Sequence, residues 1–431
     1  MQLRRIRDPI HGFIHYSDEE LKLVIDSPYF KRLRGIKQLA LTHLVYPGAM
    51  HTRFEHSLGV MEMATRAFVA LEKNQGDQLR RNFRQFGLNL NEARQLLRLT
   101  ALLHDTGHLP FSHAAEGILP KGKTHEDISV AITHELSRKL DRSFYEGISD
   151  HICSLIQKNA IVPPELQILK KLISSQLDVD RADYLLRDSL HCGVEYGNFD
   201  YLRLFEMLRV VPGREGGLEL AVEAGGVHSL EALILARYYM FAQVYFHKVR
   251  RIFDIYLADY MKSWCGDRYR RELMNVIKDD DFSVHASLQK DCKNTRSKQH
   301  ELATRIIERR HHKVVAETND FAEALDKRDI GLLSDKLRAR YTTVNFIPDI
   351  AAEGTIHKFH QPGDEQIGEE FKVVRKFSSG PISLSQESKI IAKLPKRFAV
   401  YRIYADCKST TKLLACRSFA TKNWDATVRG R

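Results

Sequence analysis

The chain lacks the cysteine arrangements that mark disulfide-rich and zinc-binding proteins. Its 431 residues include six cysteines, and no two of them form a Cys-x-x-Cys pair. This spacing predicts reduced thiols and no cysteine-ligated zinc site. Internal repeats and low-complexity tracts are also missing. The composition, 43% hydrophobic and 28% charged, excludes wholesale disorder, collagen-like structure and a disulfide scaffold.

Long hydrophobic runs are absent as well. The longest apolar stretch covers residues 232–246, is interrupted by Arg237, and is shorter than the roughly 20 residues that span a bilayer. We expect it to form a buried helix. The first ten residues, MQLRRIRDPI, carry charges with no apolar segment behind them, so no signal peptide is predicted. These features favour a cytoplasmic protein without membrane contact.

Positive charge exceeds negative charge. Lys and Arg number 66 and Asp and Glu number 55, which gives a formal net charge of +11. Such a balance favours anionic partners, namely nucleotides, nucleic acid or acidic membrane surfaces, without choosing among them. The length is too great for one small core and predicts two or three domains, or one large core with an appendage.

Helical periodicity dominates the first part of the chain. Leu96, Leu99 and Leu103 recur at helical steps, and amphipathic patterns predict further helices over residues 55–73 and 174–190. Along the last of these helices, several polar side chains are spaced four residues apart and therefore share one face.

The composition shifts in the later part of the chain. Residues 278–312 are strongly charged, as is typical of a solvated helix surface, and residues 371–377 and 397–406 are β-branched and aromatic, which predicts strands. The sequence therefore predicts a mainly α protein. A helical core is expected over residues 1–265, and a smaller α+β lobe over residues 266–431.

Histidine and aspartate are concentrated in four short clusters, at residues 51–56, 104–113, 124–127 and 178–188. In the second cluster, His and Asp end an apolar helical run, LLRLTALLHD. Burying such a pair is costly unless it binds something. A metal ion is the simplest partner, and imidazole with carboxylate suits Fe, Mn, Zn, Co or Ni.

Four of these side chains would make a set of two histidines and two aspartates: His56, His104, Asp105 and Asp180. Four protein ligands leave one or two positions for water and a substrate oxygen. Such an open position is what a hydrolytic metal requires, because the metal lowers the pKa of its water towards neutrality.

Six motifs follow one another along the chain: RDPIHG at 7–12, IDSPYFKRLRGIKQL at 25–39, YPGAMHTRFEHSLGV at 46–60, HDTGHLPFSH at 104–113, THED at 124–127 and DVDRADYLLRD at 178–188. Together they resemble the deoxynucleoside triphosphate triphosphohydrolases of the HD superfamily, a group that includes bacterial dGTPase-like enzymes and a mammalian enzyme with SAM and HD domains. The resemblance covers roughly residues 5–260 and implies an HD-domain helical core whose motifs span 51–190. It also implies hydrolysis of a dNTP at the α-phosphate to deoxynucleoside and triphosphate.

The resemblance assigns the metal ligands to the same four residues, and it adds a catalytic group near the α-phosphate. This group would orient water, accept its proton or protonate the leaving oxygen. We expect the helix that leads to His104 to continue until Pro110, and His108, four residues further on, would then face the same cavity. The implied catalytic residues are His108, His113, Glu116 and His125, with Glu116 in place of an Asp in the mammalian enzyme.

Positive charge beside the phosphates is also implied, because phosphoryl transfer develops negative charge. Arg53 resembles an α-phosphate clamp. Arg181 stands where the mammalian enzyme has Lys, a change that preserves phosphate binding. Arg237 and Lys248 match positions that hold the triphosphate tail and the base, although a buried salt bridge is an alternative for Arg237.

Sugar selection is implied at five further positions. Gln38 and Asp188 match residues that bond the 3′-hydroxyl, and Tyr184 matches a residue beneath the sugar. Leu39 and Tyr245 match the wall that leaves no room for a 2′-hydroxyl. From the sequence alone, however, core packing is the better interpretation of Leu39 and Tyr245.

Regulation and assembly follow from the resemblance in outline. Asp26 and Arg34 match a pair that reads a guanine effector, although Asp26 could equally belong to a helix cap. The resemblance also implies Mg on the substrate phosphates and a homo-oligomer (dimer, tetramer or hexamer), with residues 266–431 serving regulation or oligomerisation. Pool control, removal of mutagenic nucleotides, and defence against phage or virus by dNTP depletion all stay open as the biological role.

Two alternatives remain beside this hypothesis. The same metal set would serve another HD phosphohydrolase, a nucleotidase or phosphodiesterase acting on nucleoside monophosphates, cyclic nucleotides or oligonucleotides. The basic charge, with RRNFR at 80–84 and the 278–312 region, would also suit nucleic-acid binding beside a secondary HD site.

Overall fold

The computed structural model of this chain describes residues 4–213, 216–350, 353–359, 371–377 and 380–429. Helices make up most of it, which confirms the prediction of a mainly α fold with an α+β C-terminal part. The α-helices are α1 Asp18–Glu20, α2 Pro28–Lys31, α3 Arg53–Gln85, α4 Leu90–Leu103, α5 His125–Ser143, α6 Ile148–Ile156, α7 Gln167–Ile173, α8 Val179–Cys192, α9 Tyr201–Glu206, α10 Val227–Met240, α11 Lys248–Cys265, α12 Arg268–Arg271, α13 Asp281–Lys293, α14 His300–Ile307, α15 Ala324–Arg340, α16 Leu384–Glu387 and α17 Thr410–Arg429.

Tighter and wider helical turns supplement these helices. The 3-10 segments are Arg32–Gly35, Thr42–Leu44, Ser112–Ile118, Pro164–Leu166, Ala224–Gly226 and Leu273–Lys278, and the π-helical segments are Leu21–Ile25 and Phe241–Tyr245. The strands are short: β1 Arg4–Asp8, β2 Gly12–Tyr16, β3 Leu208–Pro212, β4 Leu218–Glu223, β5 Lys313–Glu317, β6 Phe346–Asp349, β7 Glu353–Thr355, β8 Lys372–Val374, β9 Ile382–Ser383, β10 Arg397–Ala399 and β11 Arg402–Ala405.

The chain folds into two compact units, each assembled from separate stretches of sequence. The first unit contains residues 1–237, 265–285 and 358–394, and the second contains 238–264, 286–357 and 395–431, counted over the described positions. The sequence predicts two continuous domains, residues 1–265 and 266–431, and this boundary stays a prediction.

Helices α3, α4 and α8 form the centre of the first unit, where α3 packs against both of the others. The predicted helical stripe is confirmed, since Leu96, Leu99 and Leu103 are fully buried on α4. Helix α8 starts five residues later than predicted from position 174. The reason is a cap: the Asp178 side chain accepts the backbone N–H groups of Ser175 and Arg181 at 2.9 and 2.8 Å.

One predicted strand belongs to a different place in the fold than expected. The strand β8, within the FKVVRKF stretch, pairs in parallel with β4 in the first unit, in a sheet ordered β3-β4-β8-β9. The expectation that it joins the other C-terminal strands in a separate lobe is therefore wrong. Its alternating pattern indicates a strand, but a pattern does not identify the partner strand.

The second unit is an α+β structure. Its three-stranded antiparallel sheet has the order β5-β11-β6, and helices α15 and α17 pack on it. Strands β7 and β10 form a separate antiparallel pair. Ile330, Leu337, Ile403 and Cys416 are fully buried in its hydrophobic core. This unit contains the predicted strands of residues 397–406.

The apolar stretch at 232–246 forms the end of α10 and the π-helical turn Phe241–Tyr245. Within the described ranges, no helix is both long enough and apolar enough to cross a membrane.

Candidate metal centre

Three helix ends bring the predicted metal ligands together. Thr52 and Glu55 form a reciprocal cap that starts α3, so His56 lies in its first turn. His104 is the residue that closes α4. Asp180 is the second residue of α8, behind the Asp178 cap.

The four side chains converge, with nitrogen–oxygen distances between 3.0 and 3.8 Å. Nε2 of His56 lies 3.0 Å from Oδ1 of Asp180 and 3.5 Å from Oδ2 of Asp105. Nε2 of His104 lies 3.4 Å from Oδ1 of Asp105 and 3.8 Å from Oδ1 of Asp180. Both imidazole nitrogens therefore face two carboxylates, and His56, His104 and Asp105 alone form a group that could hold an ion.

The far nitrogen of each imidazole is already engaged. Nδ1 of His56 lies 2.8 Å from Oδ2 of Asp183, and Nδ1 of His104 lies 2.7 Å from the carbonyl oxygen of Ala101. Because these Nδ1 atoms face acceptors, each carries a proton, and the Nε2 atom is the one directed into the cluster. Fixing the tautomer in this way is the usual arrangement around a metal-binding histidine.

The pKa shifts of the clustered side chains indicate that positive charge is favoured there. Burial lowers the pKa of His56, but the carboxylates of Asp180 and Asp183 outweigh it and raise the pKa to about 10. Burial likewise opposes ionisation of Asp105, yet Arg53 and the histidines hold its pKa well below the ordinary value. Both shifts show that the buried carboxylates favour positive charge next to them, and a divalent ion would supply it, so the residues fit a bound metal.

A second group continues from the same aspartate. Nε2 of His108 lies 3.2 Å from Oδ1 of Asp105, and its ring stacks on His125 at a centroid distance of 3.8 Å. Nδ1 of His125 in turn lies 2.5 Å from Oε1 of Glu116. Burial, together with the charges of Arg53 and His125, lowers the pKa of His108 well below its ordinary value.

Three of the four predicted catalytic residues are therefore adjacent. The fourth, His113, has its backbone in the 3-10 segment Ser112–Ile118, while its side chain lies outside the described part of the structure. The catalytic roles themselves stay predictions.

The helix before the HD pair is shorter than predicted. Helix α4 ends at Leu103 rather than near Pro110, and residues 104–107 form a turn. The hydroxyl of Thr106 donates to the Leu103 carbonyl oxygen at 2.8 Å, which closes the helix end. A Cβ on Gly107 would come within 2.1 Å of the carbonyl oxygen of His125. This close approach brings α5 against the turn, so His108 reaches the cluster from a loop.

Arg53 and Arg181 lie at the same cluster. Nη1 of Arg53 lies 2.5 Å from Oδ2 of Asp105, and Arg53 is buried. Nη1 of Arg181 lies 3.2 Å from Oδ2 of Asp178. Arg237 is buried in α10. Burial raises the pKa of Tyr184, and the positive charges of Arg237 and Arg181 act in the opposite direction.

The residues of the first unit that are predicted to contact the nucleotide sugar are mostly buried. Leu39 and Gln38 are buried, and Oε1 of Gln38 has no hydrogen-bond partner among the described residues. Oδ1 of Asp188 lies 2.7 Å from Nε2 of His51, a buried residue that sequence reasoning did not single out. The ring of His51 stacks on His191 at 4.5 Å. The predicted roles of these residues are not tested by the geometry.

Two further substrate residues belong to the second unit. Tyr245 ends the π-helical turn and packs edge-on against Phe241 at 5.7 Å, while Lys248 is an exposed residue at the start of α11. Each is described within that unit, and its part in substrate binding stays a prediction.

The predicted effector pair has separate partners. Asp26 is exposed and its Oδ1 lies 3.1 Å from Nζ of Lys31. Arg34 is exposed with its guanidinium 3.4 Å from the centroid of the Phe54 ring. Ser27, next to Asp26, accepts the N–H of Phe30 at 3.2 Å and caps α2. Effector binding by this pair stays a prediction.

Sequence reasoning missed a buried network behind His56. Asp183 contacts His56, His11 and Arg187, and Arg187 also contacts Asp8. The sequence did mark these residues, because Asp8 and His11 lie in the RDPIHG motif and Asp183 and Arg187 lie in the DVDRADYLLRD motif.

Comparison with known proteins places this cluster in a described family. The family described as HD domain matches residues 53–188, and the HD associated region matches residues 199–336. The first match contains all four predicted metal ligands, and the second starts shortly after α8.

Relatives of known sequence match somewhat more than half of the chain. The uncharacterized protein YwfO of Bacillus subtilis is 36% identical over 258 residues, which are 58% of this chain and 54% of that protein. The deoxynucleoside triphosphate triphosphohydrolase SAMHD1 of Bos taurus is 31% identical over 288 residues, 60% of this chain and 47% of that protein. This chain thus spans about half the length of these relatives.

Solved structures match nearly the whole chain. A hypothetical protein from Aquifex aeolicus has a TM-score of 0.76 and 31% identity, and the match covers 97% of this chain and 100% of that one. A phosphohydrolase from Bacteroides thetaiotaomicron has a TM-score of 0.70 and 25% identity, with coverage of 94% and 99%. The similarity to these structures therefore extends beyond the HD region into the later part of the chain.

Proposed function

Because this chain belongs to the HD-domain family, we propose that it is a metal-dependent triphosphohydrolase that cleaves a dNTP at the α-phosphate into deoxynucleoside and triphosphate. The observation that carries the proposal is the convergence of His56, His104, Asp105 and Asp180, with both imidazole Nε2 atoms facing carboxylate oxygens. The similarity to SAMHD1, named a deoxynucleoside triphosphate triphosphohydrolase, supports the choice of substrate.

We infer that His56, His104, Asp105 and Asp180 hold one divalent transition metal, Mn, Fe, Zn, Co or Ni. When bound, such an ion supplies an activated water and neutralises phosphate charge. The side chain of Asp180 is partly exposed, whereas that of His56 is fully buried. The substrate therefore approaches from the Asp180 side of the cluster.

The chain's own charges complete the phosphate site in this proposal. Arg53 presents a fixed guanidinium beside Asp105, and Arg181 presents another one helical position beyond Asp180. Both would attract the α-phosphate and stabilise the negative charge that develops on its oxygens. Arg237, Lys248 and a substrate-bound Mg are proposed to serve the triphosphate tail.

Proton transfer is assigned to the second group. Nδ1 of His125 is held by Glu116, which directs the opposite nitrogen of the ring away from the carboxylate. A histidine oriented by a carboxylate can give a proton to a leaving oxygen and take one from water. His108, with its lowered pKa, is neutral beside Asp105 and is proposed to orient water.

Wider features belong to the same proposal. A nucleotide effector and a homo-oligomer are proposed by family resemblance, and a cytoplasmic location is proposed from the cysteine spacing and the charged first ten residues. Binding of nucleic acid, proposed from the basic charge, would be secondary.

A product assay tests the proposal. The purified chain is incubated with each dNTP and rNTP, singly and in mixtures, with Mn²⁺ or Mg²⁺, and the products are separated by ion-exchange chromatography. We expect deoxynucleoside and intact triphosphate, and no ribonucleoside from the rNTPs. Activity that is seen only in mixtures would reveal an effector.

Other products would replace the proposal with a defined alternative. Orthophosphate from a monophosphate, or a linearised cyclic nucleotide, would assign the metal centre to a nucleotidase or phosphodiesterase. Absence of turnover in every mixture, with metal bound, would contradict dNTP hydrolysis. A His104→Ala variant prepared in parallel identifies activity from a contaminant.

A further inference from the structure

The N-terminal strands β1 and β2 form a hairpin whose turn is closed by one carboxylate. Oδ1 of Asp8 accepts the backbone N–H groups of Ile10 and His11, each at 2.9 Å. Asp8 pairs with Gly12 across the hairpin, and Gly12 has a φ of +76°, which favours glycine. The turn thereby holds the His11 side chain in a defined place.

The second oxygen of Asp8 points into the protein. Oδ2 lies 2.8 Å from Nη1 of Arg187, a fully buried residue of α8. The other edge of this guanidinium forms two hydrogen bonds to the Asp183 carboxylate, with Nε 2.8 Å from Oδ2 and Nη2 2.9 Å from Oδ1. Asp8 therefore orients the guanidinium that orients Asp183.

His11 contacts the same carboxylate directly. Its Nε2 atom lies 2.6 Å from Oδ1 of Asp183, whose Oδ2 lies 2.8 Å from Nδ1 of His56. Both carboxylate oxygens thus have two partners each, and the side chains of His11, Asp183 and His56 are fully buried. The plane and direction of this carboxylate are set by its four contacts.

Burial of this network argues for a role in orientation rather than stability. Desolvation of a buried ion pair cancels much of its attraction, so apolar side chains of similar volume would stabilise the fold equally well. The network instead fixes the Nδ1 proton and the ring direction of His56. Removing a residue that supports a metal ligand in this way typically weakens metal binding roughly 10- to 100-fold.

We propose that the N-terminal hairpin is part of the metal centre, with His11 and Asp8 as positioning residues that act on His56 through Asp183 and Arg187. Both residues precede the 53–188 region that matches the HD domain. The inference rests on the proposed function to the extent that His56 is taken to bind a divalent ion.

Metal titration of His11→Gln tests the proposal. Calorimetry with Mn²⁺ and the visible absorption of bound Co²⁺ are measured for the wild type and the variant. We expect the affinity to fall about 10- to 100-fold and the Co²⁺ spectrum to change, because the His56 ring is no longer held in one direction. Asp8→Asn, which acts one contact further away, should cause a smaller loss.

A matched control lies on the same hairpin. His15 is exposed on β2, so His15→Gln makes the same substitution away from the network and should leave affinity and spectrum unchanged. If His11→Gln binds Mn²⁺ and Co²⁺ as the wild type does, the positioning role is wrong. If the wild type itself binds neither ion, the proposed metal centre fails instead.

Hydrogen exchange of the wild type provides a test that does not depend on a folded variant. Binding equilibria are reciprocal, so a hairpin that supports the metal must in turn be stabilised by it. We expect Mn²⁺ to slow exchange of the amides of Ile10 and His11, which are bonded to Asp8. Equal exchange with and without bound metal would overturn the proposal.

Discussion

Nη1 of Arg53 lies 2.5 Å from Oδ2 of Asp105, so a residue predicted to bind phosphate contacts a residue predicted to bind metal. Nε of the same guanidinium donates to Oγ of Ser112 at 3.0 Å, and this hydroxyl donates to the carbonyl oxygen of Lys37 at 2.9 Å. The guanidinium is thus fixed at two points. Phosphate and metal sites share one charged group, and a change in one is expected to affect the other.

Replacement of Arg53 by Lys should separate these two tasks. Lys keeps a positive charge for Asp105 but cannot bond Ser112 at the same time, because its ammonium is a single point. We expect kcat/KM for the dNTP to fall roughly 10- to 100-fold through misplacement of the charge. Metal affinity should change much less. Steady-state kinetics and calorimetry measure the two effects.

Arg81→Lys is the matched control, since Arg81 is exposed on the same helix, α3. It should leave both quantities unchanged. Normal kcat/KM in Arg53→Lys would show that Arg53 serves only to balance the charge of Asp105.

His104→Ala should remove the metal without loosening the fold. The ring's Nδ1 hydrogen bond is to the Ala101 carbonyl oxygen at a helix end, where water can replace the lost donor, and the Asp105 and Asp180 oxygens lie 3.4 and 3.8 Å from the Nε2 atom that is removed. We expect hydrolysis to fall to background and metal affinity to fall further than the roughly 10- to 100-fold typical of a supporting residue. The midpoint of thermal unfolding without metal should stay nearly constant. Activity at the wild-type level would contradict the metal site.

Asp105→Ala should abolish activity by a different route. It removes the counter-ion of Arg53, which is buried, and leaves an uncompensated charge in the interior. Breaking a buried pair in this way typically costs about 3–5 kcal/mol. We therefore expect a clear loss in the free energy of unfolding, measured by denaturant titration. Similar stability in His104→Ala and Asp105→Ala would show that solvent reaches Arg53.

The sequence predicts the members of the metal cluster because each ligand is marked locally. His56 follows a capping box, His104 closes an apolar helical stripe, and Asp180 follows an aspartate cap, so each position can be recognised within one short motif. These side chains meet because the ends of three adjacent helices meet.

The supporting network is not predictable in the same way. His11 and Asp183 are separated by 172 residues, and no helical or strand period connects them. Strand β8 illustrates the same limit, because its partner β4 is set by tertiary packing and not by its own alternation. Local patterns indicate the element, while long-range pairing depends on the whole fold.

Gly59 has no room for a side chain, and Gly59→Ala should show this. A Cβ there would lie 2.0 Å from Oδ1 of Asp183 and 2.3 Å from Nη2 of Arg187. The methyl group would force this pair apart, and we expect a loss of about 3 kcal/mol or more in the free energy of unfolding. Weaker metal binding should accompany it, because Asp183 holds His56.

Gly76→Ala is the control on the same helix. The nearest atom to its added Cβ would be 3.7 Å away, which is ordinary contact. Gly76 follows Gln75, where α3 kinks with a φ of −146° and a ψ of 39°, and an alanine in this open space should leave stability unchanged or raise it by up to about 1 kcal/mol. If both variants lose the same stability, crowding at Asp183 is not the cause.

The second unit should lose stability in acid through His312. Nδ1 of His312 lies 2.5 Å from the hydroxyl of Tyr256 and 3.5 Å from Nη1 of Arg305. Because a guanidinium can only donate, Nδ1 is the acceptor of the neutral ring and the hydroxyl donates to it. Burial, then the nearby Arg305, lowers the pKa of His312 to about 4, although the carboxylates of Asp406 and Glu301 act in the opposite direction. Protonation would remove the acceptor and place a second positive charge beside Arg305.

The direction follows from comparing the folded and unfolded states. In the unfolded chain His312 binds a proton below its ordinary pKa of about 6.5, whereas in the folded unit it binds one only near pH 4. The contribution of neutral His312 to the free energy of unfolding is therefore complete above about pH 6.5 and falls as the pH decreases toward 4.

Since both tryptophans, Trp264 and Trp424, belong to this unit, their fluorescence reports its unfolding. His312→Gln, whose amide oxygen can still accept from Tyr256, should lack this dependence. We expect the stability difference between wild type and His312→Gln to change by roughly 1–3 kcal/mol between pH 4 and 6.5 and to stay constant above pH 7. A difference that is independent of pH would mean that His312 is solvated enough to titrate normally.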